Sequence, residues 1–196
     1  VAQTPSAFQQ AISGLHDIVR PFVFRRYLDF NVMAALRELH GQIREEAQRR
    51  QSNRESHMAG EHAPVDVKLG PGGIREIEFI AQLFQLIRGG KEEPLRARST
   101  REIYHYLERS RRLESQEVKM LLAAYEFWRR LEHRLQYLED AQTHVMPGKL
   151  AAIDHLARSM SYASAEAFLQ ALEQIQGQVQ QSFERLFTAE PAGPAP

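Results

Sequence analysis

The chain has 196 residues, 43% hydrophobic and 26% charged, the balance of an ordinary globular domain with enough apolar side chain for one core. Lys plus Arg equals Asp plus Glu at 25 each, so net charge is zero and bulk charge offers no handle for nucleic acid or an anionic membrane. The absence of cysteine excludes disulfides and thiolate metal sites and fits a cytoplasmic setting. No apolar run reaches the roughly 18 residues of a membrane span, and no signal peptide is visible. The chain opens on "VAQTPSAF" without an initiator Met, as a piece of a longer protein would.

Helical punctuation recurs along the chain. Thr4-Pro5 supplies a cap and a first-turn proline, with Ser6 and Gln9 as an alternative capping box. That helix is expected to reach Val19 and to break at Pro21. A short helix over 22–28 and a bend near 29–31 are expected next. Val32, Leu36, Leu39 and Ile43 then fall at helical spacing. The polar stretch "QSNRESHMAGEHAP", 51–64, reads as a mobile loop. A helix over 74–88 should stop at Gly89-Gly90. Ser99 and Glu102 form a capping box for a helix to about Ser110, and the basic run at 109–112 reads as a solvated loop end. From Ser115, the residues Val118, Leu121, Tyr125, Trp128, Leu131, Leu135 and Leu138 line one face of a long helix. Helices over 149–159 and 164–187 complete the count. The tail 189–196, "EPAGPAP" with its preceding Ala, is disordered by composition. No period-2 alternation stands out. The expectation is an all-α bundle of about seven helices without significant sheet, one helical domain over 1–188.

The stretch "DVKLGPGGIREIEFIAQLFQLIRGG", 66–90, is the most unusual. At about 100° per residue, Arg75, Glu78, Gln82 and Gln85 share a narrow polar stripe, and apolar residues cover most of the remaining arc. Such a helix should be central. Glu76 lies off the stripe and points into the apolar arc, so its carboxylate needs a partner; Arg129, Arg130 or Arg134 of the long helix is the expected one. Gly70, Gly72 and Gly73 permit unusual backbone angles and close approach. Two readings of the helix start stand side by side. Glu76 and Glu78 can be first-turn acids complementing the helix dipole. Alternatively the glycines, with Lys68, Arg75 and Glu78, face a phosphate or nucleotide. No Lys-Ser or Lys-Thr follows the glycines, so this is not a P-loop. The eight histidines show no paired metal spacing, and no metal ligand set is expected. Asp140, Gln142, Thr143 and His144 read as turn formers after a helix end.

"KLGPGGIREIEFIAQLFQLIRGG" closely resembles the glutamine synthetase adenylyltransferase family. "RPFVFRRYLDFNVMAALRELHGQI" and "AYEFWRRLEHRLQYLEDAQTHVMP" resemble further segments of that family, so the likeness covers about 15–150 well. It implies a helical domain following a nucleotidyltransferase domain, in an enzyme that adds AMP from ATP to a tyrosine of glutamine synthetase and removes it by phosphorolysis to ADP. Ile74-Arg75-Glu76 after the double glycine is similar to the AMP-removing half. The family's Gly-Ser motif and Mg²⁺-holding Asp-x-Asp pair are missing here, and Asp66-x-Lys68 is not that pair. The resemblance thus implies no catalytic residue and no bound cofactor in this piece, which alone should be inactive. Mg²⁺ and ATP or ADP belong to the longer parent, and glutamine synthetase and a PII signal protein are its implied partners. Alternatives are a stand-alone interaction domain for a PII-type regulator, or the related helical domain of a PII uridylyltransferase.

Overall fold

Seven α-helices form among the residues that the computed structural model describes, namely 7–25, 32–55, 62, 65–139 and 144–188. They are α1 (Ala7–Val23), α2 (Val32–Glu55), α3 (Ile74–Arg88), α4 (Thr100–Arg109), α5 (Ser115–Glu139), α6 (Leu150–Ser159) and α7 (Ala165–Thr188), with a 3₁₀ turn at Glu93–Arg96. No strand forms among these residues; one isolated antiparallel bridge joins Asp66 to Val145. The all-α expectation holds. The expected tail at 189–196 and the expected bend at 29–31 lie outside the described residues, as do 56–61, 63 and 64 of the expected loop.

The wide apolar arc of α3 makes it the central helix, packed against α4, α5 and α7. Ile74, Ile77 and Ile80 are fully buried, each contributing about 1.5–3 kcal/mol by leaving water. The face read on α5 is the second wall: Val118, Leu121, Trp128, Leu131 and Leu135 are all buried. Tyr104 of α4 donates its hydroxyl to the Ile77 carbonyl at 2.8 Å, which satisfies a phenol in a dry site. Buried Glu117 of α5 pairs with Arg185 of α7.

The helix ends follow their local chemistry. Ser99 Oγ accepts the Glu102 N–H at 3.4 Å, and Ser164 Oγ accepts the Ala167 N–H at 3.1 Å. Two expectations need correction. Helix α1 runs through Pro21 to Val23. The bond Pro21 cannot donate belongs to the last turn, where Asp17 and Arg20 are exposed and water can reach the freed carbonyl. Residues 51–55 are helix, the end of α2, and not loop. Helix α3 stops before Gly89-Gly90 as expected, and Gly89 itself is right-handed (φ −60°). A Cβ at Gly89 would lie 2.6 Å from the Phe24 ring, so close approach is the physical reason for a glycine there.

Candidate functional site

The segment before α3 is a wound turn. Asp66 Oδ1 accepts the N–H groups of Lys68 and Leu69 at 3.1 and 2.9 Å, an Asx turn, and the Gly70 N–H donates to the Asp66 carbonyl at 2.9 Å. Gly72 has φ +68°, and a Cβ there would come within 2.6 Å of Gln176 Cα and closer still to its carbonyl oxygen. The turn is therefore seated backbone-to-backbone on α7. Gln176 Nε2 reinforces the contact by donating to the Pro71 carbonyl at 3.3 Å. The other side of the turn pairs with 144–146: the Val67 N–H donates to the His144 carbonyl and the Met146 N–H to the Val65 carbonyl, both at 2.9 Å.

This packing commits the donors at the start of α3. The N–H groups of Ile74, Arg75 and Glu76 bond the carbonyls of Val67, Lys68 and Gly73 at 3.1–3.2 Å. The Gly72 N–H donates to Glu76 Oε2 at 2.9 Å. Gly70, Gly72 and Gly73 are buried. What the turn leaves for an external anion is two side chains, half-buried Lys68 and exposed Arg75. As a phosphate cradle made of backbone N–H groups the turn does not fit.

Glu76 is buried, 5% exposed, as its place in the apolar arc requires. Its partner is not the long-helix arginine expected. Arg44 Nε of α2 lies 3.4 Å from Glu76 Oε1, and His40 Nε2 lies 3.9 Å away. Burial pushes the carboxyl up from its ordinary range, against the Gly72 N–H and Arg44, which pull it down, while Glu184 adds to the rise. Arg44 also reaches Glu184 of α7 at 3.5 Å. The His40 ring sits 4.2 Å from Phe183 and 5.6 Å from both Phe79 and Phe187. Arg37 Nε donates to the Phe187 carbonyl at 2.7 Å. The face of α2 that meets the bundle is thus Leu36, His40 and Arg44. Leu39 and Ile43, read with Leu36 as one apolar face, are 47% and 36% exposed. A buried carboxylate selects a basic stripe over an apolar one.

Glu76→Gln tests this clamp. Glutamine keeps an acceptor for Gly72 but turns an amide donor toward Arg44. The substitution should lower unfolding free energy by about 1–3 kcal/mol, read by urea denaturation of the chain; unchanged stability would remove the clamp from the account. His40 gives a pH signature. Burial and the Arg44 charge hold its imidazole down to about 4 from 6.5. A depressed histidine stabilises the fold fully above the unfolded value, and that contribution fades as pH falls from 6.5 through 4. At about 1.4 kcal/mol per pH unit the loss reaches at most about 3 kcal/mol. Glu76, with its raised value, works in the opposite sense. The difference between the chain and His40→Phe, measured from pH 7 to pH 4, isolates the histidine; a constant difference would refute its titration.

Arg129 instead takes Glu78. Its Nη2 lies 2.6 Å from Glu78 Oε1, its Nη1 2.8 Å from Glu132 Oε2, and its guanidinium carbon 5.2 Å from the Tyr125 ring centroid. Tyr125 accepts from Arg129 Nε at 3.2 Å and donates to Glu78 Oε1 at 3.3 Å. His144 Nδ1 is 3.2 Å from Glu132 Oε1. These hydrogen bonds raise Arg129 above its ordinary value despite its partial burial. The network bolts α3, α5 and the strand-like 144–146 segment together, and it ties up the Glu78 read as facing a ligand. His144 thus does more than form a turn; Asp140, Gln142 and Thr143 lie outside the described residues. Sequence reading missed Arg44, His40 and Glu132. Glu132 carries the same signal as Glu76, a carboxylate on an otherwise apolar face, between Trp128 and Leu135. Among the described residues no three His, Asp or Glu side chains converge as a metal site, and no helix is long and apolar enough to cross a membrane.

Fold and site together define a helical bundle domain in which a buried glycine turn, fastened by two ion-pair networks, seats the central helix. The chain belongs to the family described as GlnD PII-uridylyltransferase, whose model matches residues 37–187. It is 48% identical over 174 residues to the bifunctional glutamine synthetase adenylyltransferase/adenylyl-removing enzyme of Chromobacterium violaceum, covering 89% of this chain and 18% of that protein. The proteins of the same name from Ralstonia nicotianae and Burkholderia mallei are 46% and 43% identical over 91% and 97% of this chain, and 19% and 20% of their own length. The chain thus spans about a fifth of the curated relatives it matches, and the resemblance read from its motifs is borne out.

Proposed function

We propose that this chain is the helical domain of a cytoplasmic bifunctional enzyme that adds AMP from ATP to a tyrosine of glutamine synthetase and removes it by phosphorolysis. In the removal step a phosphate oxygen bonds to the AMP phosphorus, the bond from phosphorus to the tyrosine oxygen breaks, and tyrosine and ADP leave. The observation that supports this most is 43–48% identity to enzymes of that name over 89–97% of the chain. The Mg²⁺-holding acids lie in other parts of the longer polypeptide. This domain, 1–188 with its body at 37–187, braces the nucleotide cleft and offers surfaces to glutamine synthetase and a PII signal protein. Lys68 and Arg75 are its phosphate-facing side chains; Gly70, Gly72, Gly73, Glu76 and Glu78 hold the turn that carries them. The family description supports a second reading, the corresponding domain of a PII uridylyltransferase.

Two measurements test the main reading. With adenylylated glutamine synthetase, phosphate and Mg²⁺, the chain alone should release no ADP above a blank; clear turnover would overturn the division of labour. In the longer enzyme, Lys68→Ala and Arg75→Ala should each reduce phosphorolysis about 10-fold, equivalent to about 1.4 kcal/mol, with the helical content unchanged. If both variants keep full rates, the turn is structural only.

A further inference from the structure

We infer that α1 is an interdomain strut, whose apolar face docks on an adjoining part of the same long polypeptide and not on the bundle of this chain. Ile12, Leu15, Ile18, Val19, Phe22 and Val23 form one stripe at helical spacing, and they are 39%, 59%, 76%, 42%, 74% and 44% exposed. A helix face whose described apolar residues meet water to this extent lacks its partner. The bundle does not provide it, because α1 makes only sparse contact with the other elements. Its attachment is at its end: the Phe24 ring lies against Gly89, with the Arg96 guanidinium 5.9 Å from the ring centroid, while Arg96 Nε donates to the Gly89 carbonyl at 2.7 Å.

Two further observations choose the occupant. The family match begins at 37, so all of α1 lies outside the shared bundle. Yet relatives five times longer match up to 97% of this chain, a span that takes in α1. The helix therefore goes with the longer polypeptide, not with the bundle as such. A second copy is a poor fit, since the described stripe offers six residues where a standard specific interface uses about 20–30 a side. A covalently linked surface needs far less, because linkage supplies an effective concentration of order mM. A lipid surface is also a poor fit, because α1 carries one cation, Arg20, and one acid, Asp17, whereas an interfacial helix carries a cation-rich polar face. The occupant is accordingly an apolar patch of an adjoining domain. This holds whichever nucleotide reaction the longer enzyme performs.

Thiol accessibility tests the inference without reference to activity. Leu15→Cys and Ile18→Cys place thiols on the stripe, and Ser13→Cys places one on the exposed opposite face of the same helix. Maleimide labelling of each site is followed by peptide mass spectrometry, in this chain and in the longer polypeptide that contains it. The two stripe positions should label rapidly in the short chain at every protein concentration and at least about 10-fold more slowly in the long one, with Ser13→Cys rapid in both. Equal rapid labelling of the stripe in both proteins would overturn the inference. So would protection in the short chain that grows with its concentration, which would mean a second copy, or protection that needs vesicles of anionic phospholipid, which would mean a membrane.

Discussion

Gly72→Ala should destabilise the chain by about 3–4 kcal/mol, a large part of the 5–15 kcal/mol that holds a typical domain together. Two costs add. A φ of +68° disfavours any side chain, by about 1–2 kcal/mol. The new methyl would then meet the Gln176 backbone at a distance no rotamer can relieve, so the turn or α7 must move, at about 1–3 kcal/mol for overpacking. Gly177, one residue along on α7, is the internal control. Nothing lies within 4 Å of a Cβ there, and Gly177→Ala should stabilise by up to about 1 kcal/mol through helix propensity. Urea midpoints of the two variants should move in opposite directions. A Gly72→Ala midpoint equal to that of the parent chain would mean that the turn does not rest on α7.

Arg129→Met should cost about 3 kcal/mol. The methionine retains much of the packing over Tyr125 but removes both ion pairs at once. Glu132, only 3% exposed, would then face His144 alone, and a buried carboxylate that loses its partner typically costs 3–5 kcal/mol. The low end applies because the Arg129 side chain is 36% exposed, which lets water reach the vacated position. Combining Arg129→Met with Glu132→Gln should recover part of the loss. If the double variant loses the sum of the two single effects, the two residues are not coupled and the network is only proximity.

The two ion-pair networks show where sequence reading stopped. The burial of Glu76 was legible, because its angle on α3 puts it among Phe79, Ile80 and Leu83. The identity of its arginine was not. The long helix offers three arginines and α2 offers Arg37, Arg44, Arg49, Arg50 and Arg54, and nothing local ranks them. The apolar residues of α2 pointed the wrong way as well, since Leu39 and Ile43 face outward while His40 and Arg44 face the bundle. The glycine turn was ambiguous for a similar reason. Glycine permits close approach by a ligand or by backbone, and only the position of α7 decides between them at Gly72.

By itself the sequence determined the helices, most of their ends, the central place of α3 and the likeness to adenylyltransferases, because these rest on a 3.6-residue period, on caps within one turn and on contiguous motifs. Tertiary structure decided which charges meet, that the glycine turn is filled by α7, and that the stripe on α1 is left open. Those outcomes depend on side chains far apart in the chain, and an arginine or an apolar stripe carries no mark of its partner until the packing of the helices fixes what lies within about 3–4 Å of it.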